Sequence, residues 1–207
     1  MSDSPTKNGQ SDTEPAHAPE RVLQGLGKAA TRRLRGLGRA PSWNPPDCGD
    51  IDMRIAADGT WFYCGSPIGR LPLVQLFASV LRKETDRYVL VTPAEKIGIK
   101  VDDAPFLAIE MGIEDEGNER RLIFRTNVED LVIVDSEHAL RFERGAAGGL
   151  KPYVKVRGEL WALLKRALFY DLVALGQTER IANQDWFGVR SCGVFFPMCP
   201  ASEIEGL

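Results

Sequence analysis

Between residues 51 and 56 apolar and polar side chains alternate, Ile51, Met53 and Ile55 against Asp52 and Arg54, the period of a half-buried strand. Asp58-Gly59 then marks a tight turn into residues 61–64, so a hairpin is predicted here. From Pro72 the period changes. Proline suits a first helical turn, and Leu73, Leu76, Phe77, Val80 and Leu81 fall on one face of a helix ending in the charged run 82–86. Four further strands are predicted over residues 87–91, 95–101, 106–113 and 120–125, with connections short enough for antiparallel pairing.

The remainder repeats the theme. Residues 131–135 and 140–143 read as strands, followed by a glycine-rich loop, 145–149, and a strand over 153–157. Gly158-Glu159 opens an apolar helix through Leu160, Leu163, Leu164, Ala167, Leu168, Leu172 and Val173, stopped by Gly176, and the last strands lie within residues 178–198. Setting Leu76 of the first helix on Leu163 of the second relates the halves by an offset of 87 residues. The prediction is an α+β fold, a duplicated motif of mostly antiparallel strands with one main helix per half. Its units are an N-terminal arm (residues 1–42), one lobe over 43–127 and another over 128–207. A junction between two similar lobes is a place where small ligands bind.

The arm differs from the body. Residues 1–20 are polar and rich in Ser, Thr, Asp and Pro, a composition that predicts disorder. Residues 21–39 carry Arg21, Lys28, Arg32, Arg33, Arg35 and Arg39 with no acid, interleaved with Leu23, Leu26, Leu34 and Leu37. A helix docked on the body, a linker, and an arm touching membrane or nucleic acid all fit that pattern. Over the whole chain 26 basic residues face 29 acidic ones, so no overall basic field calls for nucleic acid. Trp61, Tyr63, Trp161 and Trp186 are too dispersed to form a base-stacking platform. The polar start lacks the apolar core of a signal peptide, and no run approaches a membrane span of roughly 18 apolar residues. Cys48, Cys64, Cys192 and Cys199 form no C-x-x-C pair and no common zinc spacing. Together these features predict a cytoplasmic protein.

Few residues carry obvious chemistry. His17 and His138 are the two histidines, too few for a Ser/His/Asp or Cys/His centre or a histidine-based metal site. Asp50 and Asp52 share one face of an extended strand, and Asp102-Asp103 follows another; either pair could hold Mg²⁺ or serve as solvated turn acids. Residues 145–149 lack both the G-K-[ST] ending of a P-loop and the G-x-G-x-x-G rhythm, and read as a hairpin or crossover loop. Arg70 and Arg157 each precede a main helix. Two such arginines with Lys96 could grip an anion, or each could form an internal salt bridge, for example to Glu95 or Glu159. Thr126-Asn127 could donate to the same cleft or cap a turn. No cofactor, metal or reaction is assigned. The reading is a module for a small anionic ligand, with a protein–protein adaptor as the alternative and a Mg²⁺-dependent enzyme behind both.

Several runs together resemble the bacterial "domain of unknown function 1285" family: Gly49-Asp50-Ile51-Asp52-Met53-Arg54-Ile55, Asp58-Gly59-Thr60-Trp61-Phe62-Tyr63, Gly65-Ser66-Pro67-Ile68 and Leu90-Val91-Thr92-Pro93-Ala94-Glu95-Lys96. Val101-Asp102-Asp103-Ala104-Pro105-Phe106, Phe124-Arg125-Thr126-Asn127 and Pro152-Tyr153-Val154 extend the resemblance over residues 43–198. It implies a duplicated α+β core whose second half is loosely like a pleckstrin-homology barrel. It also implies a nucleotide-like ligand between the halves and a role in signalling. On the matching positions the cleft candidates are Arg70, Thr92, Glu95, Lys96, Thr126, Asn127, Tyr153 and Arg157.

Overall fold

The computed structural model describes residues 43–116, 119–145 and 148–206. The expectations for the N-terminal arm, residues 1–42, lie outside the described residues. Six strands form the first sheet: β1 (Asp47–Ile55), β2 (Trp61–Tyr63), β3 (Ser66–Pro67), β4 (Leu81–Glu84), β5 (Arg87–Val91) and β6 (Lys96–Val101), in the order β3-β2-β1-β6-β5-β4. Helix α1 (Leu71–Ser79) connects β3 to β4. The second sheet holds β7 (Phe106–Glu116), β8 (Glu119–Thr126), β9 (Leu131–Ile133), β10 (Leu140–Arg144), β11 (Leu150–Arg157) and β12 (Leu160–Leu164). Helix α2 (Arg166–Ala174) follows, then a three-stranded sheet of β13 (Gln177–Ile181), β14 (Gln184–Ser191) and β15 (Val194–Pro200), and a terminal 3₁₀ turn, Ala201–Gly206.

The duplication is present, but it is a duplication of sheets. Read from its other edge, the second sheet has the order β9-β8-β7-β12-β11-β10, the first sheet's order with six added to every strand. The pairing senses agree as well. β1·β6 and β7·β12 are the parallel pairs, and the other neighbours in both sheets are antiparallel. Corresponding strands begin 58 to 65 residues apart, as in Trp61 to Glu119 and Ser66 to Leu131. The 87-residue offset between helices is therefore wrong. α1 lies between the third and fourth strands of its unit, where the second unit has only the turn at residues 134–139, and α2 follows the sixth strand. The chain passes between the sheets at residues 102–105, so β7 and β8 belong to the second unit and not to a lobe ending at 127.

Two local expectations change for one reason. Residues 160–164 form strand β12, not the start of a helix: Leu160, Ala162 and Leu164 are buried at period two, and the strand is hydrogen-bonded to both β11 and β7. A run this apolar satisfies either period, and pairing on both sides decides it. Likewise α1 ends at Ser79, and Leu81 is buried as the first residue of β4. α1 buries Val74, Phe77 and Ala78, with the Phe77 ring stacked on Trp61 at 6.2 Å. Buried apolar residues of both six-stranded sheets, α2 and the three-stranded sheet form one continuous cluster, from Met53 and Trp61 through Phe124 to Leu172 and Phe196. The two six-stranded units therefore share a core.

Candidate functional site

The predicted cleft residues divide into turn formers, a surface side chain and a seam. Thr92 is fully buried, and its hydroxyl accepts from the N–H groups of Ala94 (3.3 Å) and Glu95 (3.1 Å) while donating to the Glu95 carbonyl (3.2 Å). Glu95 thus completes the β5–β6 turn through its backbone. Thr126 does the same work after β8, its hydroxyl accepting from Val128 and Asp130 at 3.4 and 3.0 Å. Short side-chain acceptors in such turns replace the backbone partners that a tight reversal removes. Lys96 pairs with Glu84 at 2.8 Å with only 16% of its side chain exposed, and that bond holds the Glu84 carboxyl below the ordinary glutamate range. Its charge is already used inside the first sheet.

Asn127 and Arg157 join the two units. The Asn127 side-chain carbonyl accepts from the N–H of Leu107 at 3.0 Å, and its amide reaches the carbonyl of Gly59 at 3.4 Å. Arg157 donates from one nitrogen to Asp130 (2.7 Å) and from the other to the Ala78 carbonyl in the last turn of α1 (2.6 Å), and its guanidinium lies 5.1 Å from the Phe106 ring centroid. A cation is well placed at a helix C-terminus, where unpaired carbonyls concentrate negative charge. Tyr153 is buried and donates to Asp103 at 2.7 Å, and Lys151 donates to the other oxygen at the same distance. Burial opposes ionisation of Asp103, but these two donors outweigh it and hold its carboxyl below the usual aspartate range. Burial first, then the bond to Asp103, raises the Tyr153 hydroxyl.

Arg70 is exposed at the position before α1 and has no side-chain partner among the described residues. It does not meet Arg157. The two touch opposite ends of α1, roughly 12 Å apart along the axis at about 1.5 Å per residue. Nor do they correspond in the repeat, since Arg157 ends the fifth strand of its unit and Arg70 follows the third. The internal-pair reading therefore holds for Arg157, with Asp130 as the partner in place of Glu159. The aspartate pairs also separate. Asp50 is bound by Arg87 at 2.6 Å, Asp102 by Arg54, and Asp103 by Lys151 and Tyr153. His138 bonds Asp135 across a tight turn at 3.1 Å. Among the described residues no group of three or more potential metal ligands is found.

A different concavity opens on the second unit. Its volume is about 650 Å³, within the range of small-molecule sites. Leu107 of β7, Leu163 and Leu164 of β12 and Phe169 of α2 supply apolar lining. Gly145 and Gly149 add to it, joined by the Gly145 N–H on the Gly149 carbonyl at 2.8 Å, and β11 adds Leu150. Among the described residues three cations also line it, Lys151, Lys165 and Arg166, and no acid does. Lys165 precedes the first turn of α2, which contains no acidic residue. Arg166 donates to the Tyr170 hydroxyl at 2.9 Å, and neither Lys165 nor Arg166 has a carboxylate partner among the described residues. Sequence reading missed this site because it placed residues 160–176 in one helix. Only the break at Lys165 brings β12 and α2 together as two walls.

Two family domains match the chain: "Domain of unknown function (DUF1285), N-terminal domain" over residues 40–104 and "Protein of unknown function (DUF1285), C-terminal domain" over residues 105–198. The chain belongs to the DUF1285 family. The family's own division at 104/105 falls in the linker between the two six-stranded sheets. The chain is similar to the crystal structure of a DUF1285 family protein from Silicibacter pomeroyi DSS-3, with 45% identity, 89% of this chain and 97% of the other covered, and a TM-score of 0.76. A DUF1285 family protein from Shewanella baltica OS155 is 28% identical, over 60% of this chain and 91% of that one, at a TM-score of 0.48. No curated protein matches. Among the described residues no helix is long and apolar enough to cross a membrane.

Proposed function

We propose that this DUF1285 protein is a binding module for a small organic anion, seated in the groove between β12, the β10–β11 loop and the start of α2. One observation carries the reading. In a chain with more acids than bases, every charged side chain among the described residues lining the groove is a cation. Two of those cations have no carboxylate partner among the described residues that a ligand anion would have to displace, whereas Arg157 and Lys96 would have to give up partners they already hold. A sensory or signalling role follows if occupancy changes what the protein contacts. The test is a thermal-shift screen of the full chain against nucleotides, phosphorylated metabolites and carboxylates. A ligand at a hundredfold excess over Kd adds about 2.7 kcal/mol to folding stability. A hit that disappears in the Lys165→Ala/Arg166→Ala variant supports the site. A hit indifferent to that variant, or a flat screen, sinks it.

The adaptor reading draws on another observation. β9 is an edge strand of the second sheet, and its Leu131 and Ile133 side chains are 72% and 43% exposed. Free sheet edges take up extended segments of partner proteins. A partner captured by the wild-type chain and lost with Leu131→Lys/Ile133→Lys favours this reading; capture unchanged by those substitutions counts against it.

A further inference from the structure

We infer that the groove's ligand is a single-chain amphiphile: an anionic headgroup on an aliphatic body. This rests on the ligand-binding reading above and narrows it to one chemical class. The side chains that the lining lacks point to that class. Among its described residues there is no Ser, Thr, Asn, Gln, His, Asp or Glu. A nucleobase or a sugar presents several N–H, C=O and O–H groups, and the described side chains of this lining offer no amide, carboxylate or imidazole to match them. Against leucine, proline and phenylalanine those groups would lose water and gain nothing. Among the described lining the Tyr170 hydroxyl is the one neutral polar side-chain group; it accepts from Arg166 and has a single O–H left to donate, too little to match a base or a sugar.

What the lining offers instead is apolar contact and positive charge. Leu164 and Phe169 anchor the apolar wall in the core, and the half-buried Leu150 and Leu163 present the surface that methylene groups would meet. Lys165 and Arg166, adjacent in sequence and both exposed, stand where a headgroup can meet them, and the arginine fork can take two oxygens at once. Lys151 is the third cation, shared with Asp103. A volume of about 650 Å³ matches one small molecule, and a monomeric amphiphile is the proposed occupant.

Isothermal titration of the full chain with dodecanoate, below its micelle-forming concentration, tests this. Affinity is expected to rise about fourfold per methylene from octanoate upward until the apolar wall is used up. Dodecan-1-ol should bind at least tenfold more weakly, and Lys165→Ala/Arg166→Ala should weaken dodecanoate to a similar degree while leaving the melting temperature of the free protein unchanged. AMP should give no heat. If AMP binds and dodecanoate does not, the anion-binding module stands and the amphiphile falls. Dodecan-1-ol binding as tightly as dodecanoate, or attachment only to phosphatidylglycerol vesicles, overturns the amphiphile as well. If no anion binds, both readings fall.

Discussion

Arg157, at the end of β11, donates a 2.6 Å hydrogen bond to the carbonyl of Ala78 in the last turn of α1, tying the second six-stranded unit to the helix of the first. The same guanidinium neutralises Asp130 and has only 12% of its side chain exposed. Truncation leaves a carboxylate and a helix carbonyl short of a donor. Arg157→Ala is therefore expected to cost about 2–4 kcal/mol in urea unfolding, since unpaired polar groups lose the full benefit of their partner. Arg157→Lys should recover less than half, because one ammonium cannot reproduce the two-pronged geometry. Arg70→Ala, at an exposed side chain, should stay within about 0.5 kcal/mol of wild type. Equal effects at the two positions would refute the assignment of Arg157 to the seam.

Gly59 and Asn127 form the second tie. Gly59 has φ +78°, and a Cβ there would stand 2.8 Å from the Asn127 amide nitrogen and 3.0 Å from the Leu107 side chain. Backbone conformation and space both require glycine. Gly59→Ala should destabilise by roughly 1–3 kcal/mol. Asn127→Ala, which strands the Leu107 N–H, should cost about 1–3 kcal/mol. The two residues touch, so the double variant should lose less than the sum. Strict additivity in a double-mutant cycle would show that they do not act on one contact.

Much of the fold was legible and the site was not, for a physical reason visible at particular residues. The β1–β2 hairpin announced itself through alternation at Ile51, Met53 and Ile55 and through Asp58-Gly59, all local signals. Thr126 was legible as a turn residue for the same reason, whereas Thr92, read as a cleft residue, shows its turn role only in the fold. β12 was not, because Leu160-Trp161-Ala162-Leu163-Leu164 is apolar enough for either period and becomes a strand through pairing with β11 and β7, the latter more than 50 residues away in sequence. With that boundary misplaced, the repeat was aligned on its helices and the arginines were paired across positions that do not correspond. Sheet order is a long-range property, and the shared 3-2-1-6-5-4 order leaves no residue-level trace that a single sequence reveals.

Asp103 gives the seam a pH dependence. Its folded-state carboxyl lies below the ordinary aspartate value of 3.8 because Lys151 and Tyr153 favour the charged form over the opposing effect of burial. A depressed carboxylate contributes stability that is complete above the unfolded value and is lost as pH falls through the folded one. Unfolding followed between pH 5 and pH 2 should therefore show a fall in stability below about pH 4 that is shallower in Asp103→Asn. A slope identical in the two proteins would exclude Asp103 as a contributor.

Ser191 attaches the three-stranded sheet to the second six-stranded sheet. It is fully buried at the end of β14. Its hydroxyl donates to the Val134 carbonyl at 2.6 Å and accepts from the Leu122 N–H at 2.9 Å, while the neighbouring Cys192 N–H reaches the Arg120 carbonyl at 2.9 Å. One hydroxyl thus satisfies two backbone groups, at Leu122 in β8 and at Val134 just after β9, 69 and 57 residues away in sequence. Replacing it by alanine removes little volume but leaves both backbone groups without this partner in a site where water has no entry. Ser191→Ala is expected to cost about 2–3 kcal/mol, and Ser191→Cys should recover little, since a thiol is a poor hydrogen-bonding partner. Amide exchange at Leu122 reads the bond directly. Faster exchange there, with little change at Val89 in the first sheet, is the expected pattern for a local detachment of β14; a uniform acceleration across both sheets would mean that the three-stranded sheet instead unfolds with the whole molecule.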